Sequence, residues 1–90
     1  MTDTTAHGIM VEAWGASTND DMTVTDDHHG NTILAIGDRR LALGVTEDRD
    51  GAFWTWTEWD GDEVVSQGGC PIADAETPLA VAMAFAGVAP

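Results

Sequence analysis

The sequence predicts an α+β fold: an antiparallel sheet of four to five strands, built from two hairpins, with one C-terminal helix packed on it. Three observations lead there. Two turn signals, "GDRR" and "DG", each separate runs of apolar or alternating residues. The last stretch, Thr77 to Pro90, carries no charged side chain and is rich in alanine. A chain of 90 residues makes one domain with a modest core, since a chain this short buries only about 60% of the surface its unfolded form exposes.

"MTDTTA", residues 1–6, is polar and expected to fray. In "HGIMVEAW", Ile9, Val11 and Ala13 alternate with Met10, Glu12 and Trp14, the pattern of a strand. "GASTNDDMTVTDDHHGN" is a loop of turn formers and acids, with "MTVT" as a short edge strand. "NTILAIGDRRLALGVTE" reads as a hairpin. With Ile36 opposite Leu41, residues Leu34, Ile36, Leu41, Leu43 and Val45 share one face, and Ile33, Ala35, Ala42 and Gly44 share the other. Two apolar faces suggest central strands covered on both sides.

"EDRDG" is a second turn, and "AFWTWTEW" and "EVVSQ" form another hairpin around "DG". Alternation sends Trp54, Trp56 and Glu58 one way and Phe53, Thr55, Thr57 and Trp59 the other. A two-residue Asp60-Gly61 turn sets Trp56 opposite Val65, Thr57 opposite Val64 and Glu58 opposite Glu63. That last like-charge pair argues for a longer turn or for a cation between the two acids. "GGCP" ends the sheet. In the helix, Thr77 is the expected N-cap, Pro78 suits the first position, Asp74 and Glu76 favour the N-terminal dipole, and Gly87 is the expected C′ residue. Leu79, Ala82, Met83 and Ala86 form one apolar stripe, and Val81, Phe85 and Val88 form another. A helix apolar on both stripes is buried on more than one side. We therefore expect Leu79, Met83, Trp54 and Trp56 inside the protomer and Val81, Phe85 and Val88 at the seam of a homodimer.

Sixteen acids against three arginines and no lysine give a net charge of −13. A direct nucleic-acid binder needs a basic footprint, so that class is excluded, and an anionic membrane surface is disfavoured. A basic protein is the partner this field attracts. One cysteine, Cys70, allows no intramolecular disulfide and fits a cytoplasmic setting. The N-terminus lacks the basic and apolar regions of a signal peptide.

No catalytic, metal or cofactor site is expected. Asp20, Asp21, Asp26, Asp27, His28 and His29 crowd one loop but match no calcium-loop or zinc-helix spacing. Cys70 has no neighbouring cation to activate it, and no serine sits in a nucleophile motif. Trp59 and Phe53, on the face opposite Trp54 and Trp56, are the aromatic residues best placed for a partner. The candidate partner-binding set is Asp20, Asp21, Asp26, Asp27, Glu58, Trp59, Asp60, Asp62 and Glu63.

The expected function is that of a non-enzymatic acidic protein that binds a basic, nucleic-acid-binding partner, with carboxylates standing where phosphates would. In composition alone, this profile resembles phage-encoded anti-restriction and anti-CRISPR inhibitors. An acidic or salt-adapted oligomerisation domain of a larger assembly is the alternative, and a small metal- or ligand-binding module at the acidic loop is the third. Acids clustered on one face would favour the first, and acids scattered evenly would favour the second.

Overall fold

The structure, a computed structural model, describes residues 5–17, 21–27 and 29–88. Along the chain these form α1 (Ala6–Ala16), β1 (Thr23–Asp26), β2 (Thr32–Ile36), β3 (Arg39–Asp48), β4 (Gly51–Asp60), β5 (Glu63–Pro71) and α2 (Glu76–Phe85). The five strands make one antiparallel sheet in sequence order, each strand pairing with its neighbours in the chain. Both helices pack on the same face of it. The α+β class and the antiparallel sheet stand as expected, but there are two helices, one towards each end of the chain.

The second helix corrects the strand expected over "HGIMVEAW". Its buried residues are Ala6, Ile9, Met10 and Ala13, which is the i, i+3, i+4, i+7 stripe of a helix. The period-two pattern of Ile9, Val11 and Ala13 is coincidental, since Val11 points to solvent. The Thr5 hydroxyl caps the helix by accepting the Gly8 N–H at 2.9 Å. Thr5 and Ala6, grouped by the sequence with a frayed end, are thus the cap and the first buried residue.

The hairpins form where expected, with different registers. Ile36 lies opposite Arg39, and Leu34 opposite Leu41, so β2 and β3 close on the two residues Gly37 and Asp38. Gly37 has φ +57°, as a hairpin turn with glycine at its first central position requires. Gly61, with φ +63°, plays the same part between β4 and β5, so the turn is Gly61-Asp62 rather than Asp60-Gly61. Asp60 then faces Glu63, and a bulge at Val65 shifts the register so that Glu58 faces Ser66. The like-charge pair has moved to Asp60 and Glu63, while Glu58 takes a cation instead, Arg39 at 3.3 Å.

In α2 the N-terminus is held by Asp74 rather than Thr77. One Asp74 carboxylate oxygen accepts the Thr77 N–H at 3.2 Å and the other accepts the Thr77 hydroxyl at 2.7 Å. The helix ends in a Schellman arrangement: the Gly87 N–H donates to Ala84 O and the Val88 N–H to Met83 O, with Gly87 at φ +75°.

The core lies between the helices and one sheet face. Leu34, Leu41, Leu43 and Trp54 supply the sheet side, and Met10, Ala13, Ala82 and Phe85 the helix side. Trp54 is fully buried, its indole N–H donating to Ile72 O at 3.0 Å. The seam expected of Val81, Phe85 and Val88 lies inside the chain: Phe85 is 5% exposed, and Val81 and Val88 pack against the core. The reason is α1, the element the strand reading lacked, which covers the second stripe of α2. The Arg39 guanidinium closes the end of the core, 5.0 Å from the centre of the Phe85 ring.

Truncating Trp54 to alanine is expected to cost about 3–5 kcal/mol in equilibrium urea unfolding. Phe85→Asp should lose cooperative unfolding altogether, because it places an unpaired carboxylate in that core. A Phe85→Asp variant as stable as the parent would contradict the described packing.

Candidate functional site

With both helices on one face, the other face of the sheet is left open. Strand pairing sets its side chains in rows. Thr23, Ala35, Arg40, Trp59 and Val64 form the row nearest the Gly37 and Gly61 turns. Thr25, Ile33, Ala42, Thr57 and Gln67 form the next, followed by Gly44, Thr55 and Gly69, then by Thr46, Phe53 and Pro71. Ile33, Ala35, Ala42, Phe53, Thr57 and Trp59 are half-buried by one another, with no layer above them. The expectation that β2 and β3 are covered on both faces is therefore corrected: they are interior strands, but only one face is covered.

The Arg40 guanidinium lies 5.2 Å from the centre of the Trp59 ring and donates to Gly61 O at 3.4 Å. Stacking and hydrogen bond together hold the indole against the sheet. Beneath it, the Gly61 N–H donates to Asp38 O at 2.8 Å, so the two hairpin turns are tied together.

Charge on this face is sparse. Among the described strand residues that point to it, only Arg40 and Asp48 are charged. The carboxylates stand at its ends. Asp38 and Asp62 are exposed in the Gly37 and Gly61 turns and Asp50 in the opposite turn, with Asp48 beside it, while Asp60, Glu63 and Glu47 are exposed at the same two ends but on the helix-bearing side of the strands. Asp60, Asp62, Glu63 and Trp59, members of the sequence-derived set, thus gather at one corner. Glu58 belongs to the helix-bearing face, in its pair with Arg39. Asp21, Asp26 and Asp27 lie apart from that corner, beside β1. Asp20 and His28 lie outside the described residues.

Away from the open face, a cleft of about 480 Å³ lies between the start of α1 and the β1–β2 turn. His7 Nδ1 contacts both oxygens of Asp26, at 2.9 and 3.1 Å, and the buried Thr32 hydroxyl donates to Asp26 at 2.7 Å. Those contacts, the Thr32 bond first and His7 second, hold the Asp26 carboxyl below its ordinary pKa. Asp27 is lowered too, by the N–H groups of Asn31 and His29 and by the Asn31 side chain. These carboxylates tie the turn to itself and α1 to β1. Among the described residues, no three His, Cys, Asp or Glu side chains group closely enough to hold a metal ion. Cys70 is half-buried, and burial first and Asp74 second raise its pKa, which keeps it a protonated thiol. No helix among the described residues is long and apolar enough to cross a membrane.

No protein-family model, no curated protein and no solved structure matches the chain.

Sequence reasoning did place Phe53 and Trp59 on one face by alternation. It missed the stack of Arg40 on Trp59, which depends on the observed β3–β4 register, and the His7–Asp26 contact, which exists only because α1 is a helix.

Because folding lowers the pKa of Asp26, its contribution is fully present above the unfolded value, about 4. It is lost as pH falls through the folded value. Thermal unfolding of Asp26→Asn against the parent should therefore show a deficit at pH 6 that shrinks below about pH 4. A deficit constant down to pH 2 would show that the carboxylate charge is not the stabilising element.

Proposed function

We propose that this protein is a non-enzymatic, acidic protein-binding module whose open sheet face docks on a basic protein. The observation that carries this reading is the segregation of charge. In a chain of net −13, a whole sheet face holds one arginine and one aspartate, with carboxylates crowded at its two ends. An apolar and aromatic patch inside a charged rim is the usual anatomy of a protein interface. Tryptophan is enriched among hot-spot residues, and Trp59, at the Gly61 end of this face, is already held in place by Arg40.

Strand spacing and rise make the usable face roughly 20 Å by 20 Å, on the order of 400 Å². A stable interface takes about 800 Å² from each partner. The remainder falls to the acidic rim, which would set orientation and speed of encounter. A partner that normally holds a polyanion carries closely spaced cations, as DNA presents one charge per roughly 1.7 Å. A nucleic-acid-binding protein is therefore the partner class that fits, and occupation of its groove by carboxylates is the mode of inhibition this suggests. The salt-adapted reading fits less well, because it gives no reason for acids to avoid one face. A second copy of the chain fits less well too, since it would bring two acidic rims together.

The test is capture on the immobilised protein, run in parallel with Trp59→Ala and with Val11→Ala, an exposed residue on the helical side. A basic partner should be released between about 0.1 and 1 M salt, as the screening length falls to about 3 Å. Trp59→Ala should weaken binding by about 2 kcal/mol, some 30-fold, and Val11→Ala should leave it unchanged. Salt-insensitive binding equal in all three proteins would refute the reading. So would light scattering that shows a dimer dissociated by Trp59→Ala.

A further inference from the structure

The sheet has two free edges, and they differ. The β1 edge is four residues long, too short to template another strand. The β5 edge is nine residues long and exposed at every position but Cys70. Proteins usually blunt such an edge with lysine, an inward charge, a proline, a bulge or a covering element. Here the bulge at Val65 and the proline at Pro71 deal with the two ends only. Between them Ser66, Gln67, Gly68, Gly69 and Cys70 pair regularly with β4 on one side and with no described strand on the other. Three of these five have side chains no larger than serine, so nothing bulky obstructs an approaching backbone.

We infer that the Ser66–Cys70 edge of β5 accepts an extended basic segment of a partner protein as a sixth strand. The inference rests on the reading that the partner is basic, and it specifies the form in which the partner's cations arrive. The charge around the edge carries it. Ser66, Gly68 and Cys70 point to the helix-bearing face, and each has a recipient for a cation beside it. Glu58, whose carboxylate already takes Arg39 on one oxygen and has its second oxygen left for another cation, lies across from Ser66. The Trp56 ring lies over Gly68, so close that an added Cβ would come within 2.8 Å of it. Beyond Cys70, whose Sγ contacts Asp74 O at 3.4 Å, stand the exposed carboxylates of Asp74 and Glu76. An incoming strand with Arg or Lys at alternate positions would set its first cation near Glu58, its second over the Trp56 ring and its third near Asp74 and Glu76. Residues 51–76 carry six acids and no Arg or Lys, so a second copy pairing through β5 has no cation to offer these recipients.

The probe is a capped peptide with the core Arg-Thr-Arg-Thr-Arg. It is compared with two isomers of equal charge, each N-methylated on one of the two alternating sets of backbone amides. A strand pairs through one set only. One isomer should therefore bind about ten-fold or more weakly, from the loss of two to three backbone hydrogen bonds, and the other should bind as the parent does. Amide exchange should slow in Ser66–Cys70 on addition of the parent peptide. Equal binding of all three peptides, or slowing confined to the open face around Thr55, Thr57 and Trp59, would overturn the inference. So would an edge already protected before peptide is added, with the protein dimeric in light scattering. Running the series on Trp59→Ala separates the two readings. Edge binding that survives the substitution supports β5 whatever becomes of the face. A folded basic protein that binds through Trp59, while the peptides do not bind at all, sinks the edge and leaves the face.

Discussion

Trp54 is where the layers of this protein meet. Its ring is fully buried between β4 and the helices, and its N–H is spent on Ile72 O, in the segment that leads from β5 into α2. One side chain therefore fills the centre of the sheet's covered face and anchors the return of the chain across it. Ala82 of α2 and Ala86 just beyond its last turn are buried in the same core, and such small residues let a helix come close to a large ring. The helices are drawn to this face because it carries Leu34, Leu41, Leu43 and Trp54. On the opposite face Ile33, Ala35, Ala42, threonines and glycines make up the middle, with Phe53 and Trp59 near its two ends, so its apolar surface is thinner and less continuous than that of the covered face.

That asymmetry organises the electrostatics. Carboxylates are excluded from the core by desolvation, so all sixteen must find places on a small surface, and several of them settle at turns and helix ends where water and N–H groups solvate them. Asp27, Asp48 and Asp74 each accept backbone N–H groups in this way. The same reasoning does not require acids to avoid the open face, which is well hydrated. Their scarcity there, beside a stacked tryptophan, is what distinguishes it from an ordinary solvated surface.

Local signals were legible in the sequence and layer-level ones were not. Gly37 and Gly61 marked both hairpins, because turn chemistry is a matter of two or three residues. Registers slipped by two or three residues: Gly61-Asp62 and Asp60-Gly61 satisfy the same composition, the backbone chooses the one that puts glycine first, and the bulge at Val65 adds one more. Helix α1 was misread although Thr5 and the stripe of Ala6, Ile9, Met10 and Ala13 were in plain sight. Gly8 and Gly15 weaken its helical propensity, and Ile9, Val11 and Ala13 happen to alternate. That one error displaced Phe85 from core to seam, since nothing else was left to cover it. Which sheet face stays open depends on where two distant segments pack, and no local pattern encodes that.

The order of the strands also bears on how the chain folds. Every strand pairs with its sequence neighbour, so the sheet can grow by successive hairpins, each closing a short loop. Helix α1 is the exception. It must reach the last helix from the far end of the chain, where the Ser17 hydroxyl donates to Ala86 O across 69 positions. The expected sequence of events is a meander that forms early and a first helix that docks late. Substitutions at Ile9 or Met10 should then speed unfolding while leaving the folding rate nearly unchanged, and φ-values near one in that helix would reverse the order.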